Sequence, residues 1–127
     1  MNVLANRCGL VVASALAGLS VSAAVAQNAK PSYQADPQVY KVIYEDNNFR
    51  VILADRPAGA RDKDHSHPLP SVLYYLTDCT SKQYTPDGKT NVSVGKAGDV
   101  RSAPITASHS VENTGQADCK QLFVEKK

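Results

Sequence analysis

The hydrophobic and polar residues after position 38 form short runs that predict strands rather than helices. Val, Ile, Tyr and Thr are concentrated in these runs, which are separated by turn residues such as those at 45–48 and 86–88. Outside the N-terminal segment, no run offers ten or more residues at helical period. The predicted strands are residues 39–44, 49–54, 71–77, 80–85, 91–94, 100–103, 108–112 and 121–125. So many short strands predict an all-β sandwich or barrel.

Residues 1–26 have the pattern of a secretory signal peptide. Arg7 precedes an uncharged run rich in Ala, Val, Leu and Ser, which ends in the small residues Ala24 and Ala26. We predict cleavage after Ala26, export to the periplasm or beyond, and no membrane attachment of the mature chain. The alternative is an uncleaved anchor, although so Ala-rich and Ser-rich a run makes a weak membrane helix.

The remaining chain predicts one domain. Residues 27–37 are polar, contain Pro31 and Pro37, and predict a flexible lead-in to a domain at 38–127. The whole chain has 14 Lys and Arg against 12 Asp and Glu, and removing Arg7 lowers the formal charge from +2 to +1. So near-neutral a balance gives no reason to expect a nucleic-acid partner or an anionic surface.

Two cysteines, Cys79 and Cys119, remain after the predicted cleavage. In an oxidising compartment an even pair tends to close, so we predict a disulfide between them. The alternative is two separate buried thiols.

The histidines are the main candidates for chemistry. His65 and His67 are two residues apart, so on a strand both side chains face one side, with Cα atoms roughly 6.5–7 Å apart. Two imidazoles so placed can bind one metal ion at a Zn–N distance of about 2.0–2.1 Å. The third ligand would be His109, the remaining histidine of the chain. The alternative is that all three are ordinary loop or hydrogen-bonding histidines.

Two segments around these histidines resemble the two motifs of the cupin superfamily. In GARDKDHSHPLPSVLYYLTD, Gly59 precedes the pair His65 and His67 by the motif spacing. In GDVRSAPITASHSVEN, the second motif's positions are filled by Gly98, Pro104, His109 and Asn113. The resemblance covers residues 39–125. It implies a jelly-roll barrel with one divalent transition metal (Zn, Cu, Ni, Fe or Mn) bound by His65, His67 and His109, and it allows a homodimer.

The chain departs from the first motif at Ser71, where the family usually has a glutamate. A serine hydroxyl is a poor ligand, so Ser71 is expected to line the site without binding the metal. The site would then be three neutral imidazoles with an open position that can bind water or a small molecule. Asp62 and Asp64 are the nearest carboxylates in sequence, and Asp64 is a weak candidate ligand. In the second motif, Thr106 replaces a glycine.

Two further residues are candidates for catalysis. If Ser71 faces the cavity, Tyr75 does so too, because side chains on a strand alternate between faces. Tyr75 could donate its phenol to a substrate or could be an ordinary core tyrosine. Arg101 could bind a carboxylate if it points inward, or it could be an exposed arginine on a strand.

The sequence therefore predicts an exported, metal-binding cupin that acts on a small molecule, with oxygenase, isomerase and lyase chemistry left open. A non-catalytic module that captures a small ligand or a metal is the main alternative. A metal-free structural relative is a third.

The resemblance also has a consequence for Cys79 and Cys119. In the cupin jelly roll, the strand after the first motif lies antiparallel beside the last strand. This arrangement implies that the two cysteines lie opposite each other, within the Cα separation of about 4.4–6.8 Å that a disulfide needs.

Overall fold

The computed structural model of the chain describes residues 28–127, whose regular secondary structure is almost wholly antiparallel strand. The segment predicted to be a signal peptide lies outside the described residues. Within them, one short helix precedes nine strands: α1 (Ser32–Ala35), β1 (Tyr40–Glu45), β2 (Phe49–Arg56), β3 (His65–His67), β4 (Ser71–Tyr75), β5 (Cys79–Tyr84), β6 (Thr90–Gly95), β7 (Val100–Ala103), β8 (Thr106–Asn113) and β9 (Cys119–Lys126). Across residues 28–127, no helix has the length and apolarity needed to cross a membrane.

The all-β prediction is confirmed. Each predicted strand is present with its ends within two residues of the prediction, and β3 is the His-Ser-His segment itself. Strand β4 ends at Tyr75 instead of 77 because the chain there turns out of one sheet to begin β5 in the other.

Part of the segment predicted to be a flexible lead-in is packed against the domain. The amide of Ser66 in β3 donates to the carbonyl of Lys30 at 2.9 Å, and the hydroxyl of Ser66 donates to the carbonyl of Ala29 at 2.7 Å. Ser32 and Asp36, at and just after α1, are both buried. This segment therefore covers the edge strand that carries two of the histidines.

The strands form two sheets, ordered β1-β2-β9-β4-β7 and β3-β8-β5-β6. Strand β4 pairs with β9 in antiparallel register, as the family resemblance implies. One cavity is lined by Leu73 and Tyr75 of the first sheet and by Ser81 and Val111 of the second. The two sheets therefore face each other across an interior space.

Register assigns the residues of the five-stranded sheet to its two faces. Ile52, Phe123, Leu73 and Arg101 are successive ladder partners on the inner face. The outer face has the rows Val51, Val124, Val72 and Leu53, Leu122, Tyr74. Ile52 is fully buried, whereas Val72 and Tyr74 keep 47% and 38% of their surface exposed.

The apolar core is divided into two small clusters. The larger comprises Val39, Tyr40, Ile52, Ala54 and Phe123, and the smaller comprises Tyr75, Cys79 and Cys119. Leu73 packs against both clusters. Cys79 and Cys119 form a disulfide with a Cα separation of 5.0 Å, so the predicted pair is present.

Candidate metal centre

The three histidines converge on one point. His65 in β3 is the ladder partner of His109 in β8. The Nε2 atom of His65 lies 3.1 Å from that of His67 and 3.0 Å from that of His109, and all three side chains are buried. The predicted convergence is confirmed, because the three atoms are close enough to bind one ion.

A backbone carbonyl fixes the ring of His65. Its Nδ1 lies 2.7 Å from the carbonyl oxygen of Lys63. A carbonyl can only accept, so Nδ1 carries the proton and, in the neutral ring, Nε2 keeps its lone pair. Such a hydrogen bond on the far nitrogen is the usual way in which a protein orients a metal-binding histidine.

Behind His65 lies a buried polar network that the sequence analysis did not predict. Arg56 donates through Nε to Asp62 at 2.7 Å, and both side chains are almost fully buried. The hydroxyl of Tyr40 donates to the same carboxylate at 2.7 Å and lies 3.2 Å from Nε2 of His65. The other oxygen of Asp62 accepts the amide of Val111 in β8 at 2.6 Å. The network therefore ties β1 and β2 to the strands that carry the histidines.

His67 has a contrasting, apolar environment. Its ring stacks on Phe123 with a centroid distance of 4.8 Å and an interplanar angle of 16°. Its buried Nδ1 has no hydrogen-bond partner among the described residues. Burial, then the neighbouring His65, His109 and Arg56, lower the pKa of His67 from 6.5 to about 3.

The other two rings are held in the neutral form by the same cause. Burial is the main reason that the pKa of His109 is lowered to about 4, and burial also lowers the pKa of His65. At neutral pH all three rings are therefore neutral, which is the form that binds a metal.

No carboxylate joins the three histidines among residues 28–127. Asp62 approaches His65 only on its Nδ1 side, at 3.6 Å, and Asp64 is exposed, so the weak expectation that Asp64 is a ligand gains no support. Ser71 is buried, and its hydroxyl has no partner among the described residues. Its ladder partner is Glu125, a buried residue that binds Arg50 at 3.1 Å and whose pKa is raised by burial.

A cavity of about 350 Å³ opens beside His67 and His109. Ser71 is not among its lining residues, because the cavity begins further along β4, at Leu73 and Tyr75. Thr106, which replaces the motif glycine, is on its wall. The cavity gives a small molecule a route to the point where the histidines meet.

Both candidate catalytic residues line this cavity. Tyr75 is buried, and its ring lies where a side chain at Gly95 would collide with it, since an added Cβ would be 2.2 Å away. The Tyr75 hydroxyl makes no hydrogen bond to any residue in the described range. Arg101 lies on the inner face of β7, with its guanidinium carbon 5.1 Å from the centre of the Tyr75 ring. Arg101 thus combines the two alternatives left open for it, because it lines the cavity while its side chain stays 41% exposed.

Five residues of the site had no role predicted from the sequence: Tyr40, Arg56, Asp62, Gln121 and Phe123. A signal for one of them was present. Arg56 continues the two-residue period of Ile52 and Ala54, which marks it as an inner-face residue despite its charge. Asp62 lies in a polar loop sequence, where nothing local distinguishes it from its exposed neighbours.

The donor set fits a divalent transition metal. Three neutral imidazole nitrogens suit zinc, copper, iron or nickel, and three protein ligands leave a position open to the adjoining cavity. The fold and this centre define the class: a jelly-roll barrel with a three-histidine site.

Comparisons with known proteins place this class within a named fold. No protein-family profile and no curated protein matches the sequence. A cupin domain from Bordetella pertussis is similar in structure, with a TM-score of 0.64 at 21% identity over 70% of this chain and 92% of that one. A protein with a double-stranded β-helix domain from Klebsiella pneumoniae has a TM-score of 0.55 at 21% identity over 78% and 83%.

A third similar structure is a variant of oxalate decarboxylase from Bacillus subtilis. Its TM-score is 0.50 at 27% identity over 63% of this chain, which spans 22% of that longer protein. The chain therefore has the cupin fold, and the resemblance noted in the two histidine motifs is confirmed at that level.

Proposed function

We propose that the protein binds one divalent transition metal ion through Nε2 of His65, His67 and His109, and uses it to act on a small molecule in the adjoining cavity. The observation that carries the proposal is the convergence of these nitrogens, 3.0 and 3.1 Å apart, beside a cavity that His67 and His109 themselves line.

When bound, the ion supplies a Lewis acid with an open position. The chain's own residues do the rest. The Lys63 carbonyl holds the His65 ring with its lone pair turned inward. Tyr75 offers a phenol that can donate a hydrogen bond to a molecule in the cavity, and Phe123 keeps water from the far side of His67.

A non-catalytic binding module is the second candidate, and one observation favours it. Among the described residues that line the cavity there is no Asp, Glu or Lys. General acid or base catalysis there would have to use a histidine or Tyr75. Trapping a small molecule needs no such group.

Metal binding can be tested by calorimetry and by the visible spectrum of the cobalt-loaded protein. We expect one ion per chain and a spectrum typical of nitrogen and oxygen ligands. His109→Gln should weaken zinc binding at least tenfold, because it removes one of three ligands. Asp64→Asn, a neighbouring change outside the site, is the matched control. Equal zinc affinity in the native chain and His109→Gln would refute the proposal.

Catalysis and capture can be separated with Tyr75→Phe. If the protein is an enzyme that uses this phenol, the variant should lose turnover of a substrate while keeping zinc affinity. If the protein only captures a ligand, the native chain should return every bound molecule unchanged, as mass spectrometry of the released ligand would record.

We also propose that the protein is exported. Support comes from the signal-like pattern at residues 1–26 and from the disulfide between Cys79 and Cys119, which belongs in an oxidising compartment. The intact mass of the protein from its native host should match a chain that begins at Gln27. A mass that includes residues 1–26 would refute cleavage.

A further inference from the structure

The cavity beside the histidines has an unbalanced charge. Its ionisable lining residues, apart from histidine and tyrosine, are Arg56 and Arg101, and no acidic residue in the described chain lines it. Arg56 is offset by Asp62, which lies behind His65. Arg101 faces only Asp99, at 3.3 Å, and both side chains are 41% exposed, so solvent weakens that pair. The wall as a whole therefore favours an anion.

Gln121 adds a fixed hydrogen-bond donor to this wall. Its Oε1 lies 2.9 Å from Nη1 of Arg56. A guanidinium can only donate, so the amide oxygen must face Arg56, and the amide NH2 must point the other way. Gln121 lines the cavity, is 5% exposed, and its NH2 has no acceptor among the described residues. The NH2 is not among the fully buried atoms that lack a partner, so it is open to the cavity and can donate to a molecule there.

Arg101 is held on the same wall. Its Nη2 donates to the carbonyl of Val94 at 2.5 Å and its Nη1 to the hydroxyl of Ser93 at 3.3 Å, while the ring of Tyr75 lies beneath it. The guanidinium is thus held on the cavity wall, and the Arg101 side chain keeps 41% of its surface exposed. It is accessible to a charged group that enters.

The rest of the lining is apolar, and the volume is modest. Leu73, Ala103, Val111 and Phe123 contribute hydrocarbon surface, and about 350 Å³ suits a small organic molecule more than a bare inorganic ion. A ligand that satisfies both parts of the wall has one anionic end and an apolar body.

We propose that the cavity binds a small organic carboxylate, with the carboxylate at Gln121 and Arg101 and the apolar body against Leu73, Val111 and Phe123. This inference deepens the proposed function, because it names the class of molecule that would lie beside the metal. It does not require the metal for binding, so the two can be tested separately.

The test uses benzoate, its neutral analogue benzyl alcohol and inorganic phosphate as probes, titrated into the metal-free protein by calorimetry. Benzoate should bind at least tenfold more tightly than either of the others, because only it has both the charge and the apolar body. In a ¹H–¹⁵N spectrum, benzoate should shift the side-chain NH2 of Gln121. Benzyl alcohol binding as tightly as benzoate would overturn the proposal, and so would phosphate binding more tightly.

Two variants test the residues. Gln121→Glu keeps an oxygen for Arg56 but replaces the donor NH2 with a second oxygen, so benzoate affinity should fall roughly tenfold to a hundredfold. Arg101→Gln, a change at an exposed position, should lower it about tenfold. Lys89→Gln removes an exposed cation outside the cavity and is the control. Unchanged benzoate affinity in both cavity variants would overturn the proposal.

A zinc titration of the native chain, set beside the benzoate titrations of the two cavity variants, distinguishes this inference from the proposed function. If zinc does not bind the native chain but benzoate binding depends on Gln121 and Arg101, the carboxylate site stands and the metal proposal fails. If zinc binds and benzoate affinity depends on neither residue, the metal proposal stands and this inference fails.

Discussion

The two faces of the five-stranded sheet differ in an unusual way, because charged groups lie beside the apolar core residues on the inner face. The outer face is apolar where strands meet, with Val51, Leu53, Leu122 and Val124 half-buried and Val72 more exposed. The inner face has Ile52, Leu73 and Phe123, but it also has six charged or polar residues: Arg50, Arg56, Ser71, Arg101, Gln121 and Glu125. Most antiparallel sheets place the polar residues outward.

This difference indicates that the protein gives up some folding stability in order to build its site. Buried charges lower the free energy of unfolding unless they are paired, and an apolar interior would be more stable. The inner face keeps them because they position the histidines and shape the cavity: Asp62 and Tyr40 support His65, and Gln121 presents its amide. Substitutions on the inner face should therefore lower the free energy of unfolding more than substitutions on the outer face.

The largest effect is expected for Arg56→Leu. The change leaves Asp62 buried without its ion-pair partner, so the free energy of unfolding should fall by about 3–5 kcal/mol in urea denaturation. Asp55 precedes Arg56 and pairs with Lys120 at an exposed position. Asp55→Ala should therefore lower the free energy of unfolding by less than about 1 kcal/mol. Equal losses in the two variants would remove the distinction between the faces.

Removal of the disulfide should come next. Replacing both Cys79 and Cys119 with serine opens a loop of sequence separation 40 and should cost about 2–4 kcal/mol. Because Cys119 is the ladder partner of Arg56, zinc affinity should fall as well. Thermal unfolding with and without reductant measures the first effect, and identical curves would contradict it.

Acid should destabilise the metal-free protein through its histidines. The unfolded chain binds protons near pH 6.5, whereas the folded pKa values of His67 and His109 are lowered to about 3 and about 4. Their stabilising contribution is therefore present above pH 6.5 and is lost as the pH falls toward 4, by roughly 1 kcal/mol per histidine for each pH unit. Urea midpoints at pH 7.5 and 5.5 test this. The slope should be smaller in His109→Gln, and an unchanged slope would count against the assignment.

The smallest expected effect is that of Ser71→Glu. A glutamate there supplies the carboxylate that the first cupin motif usually has and should tighten zinc binding roughly tenfold, or about 1.4 kcal/mol. Without metal the variant should be less stable than the native chain, because the new carboxylate is buried beside Glu125. Ser71→Gln is the control for size, and zinc affinity equal to that of the native chain would mean that position 71 does not reach the ion.

Much of the fold could be predicted from local pattern. Turn residues separate short β-branched runs, and the motif glycines Gly59 and Gly98 take positive φ values of 76° and 90°, which glycine adopts without strain. The convergence of the three histidines could also be predicted, because His65 and His67 share a face of a strand and His109 lies at the motif spacing.

The supporting residues could not be predicted in the same way. Leu122, Phe123 and Val124 are three consecutive apolar residues, and only the register places Phe123 against His67 and its neighbours outside. The pairing of Arg56 with Asp62 depends on a loop conformation that brings the carboxylate back over the inner face. Charge alone suggests exposure for both residues.

The disulfide affects the order in which the histidine site forms during folding. Positions 79 and 119 enclose His109, whereas His65 and His67 precede the enclosed segment, so the three ligands meet only after strands far apart in the chain have paired. The unfolded chain offers no such site, and closure of the disulfide loop favours the pairing before any ion binds. Under the proposed export, the metal ion would then be selected by the supply in the compartment where the chain folds, which is not the compartment where it is made.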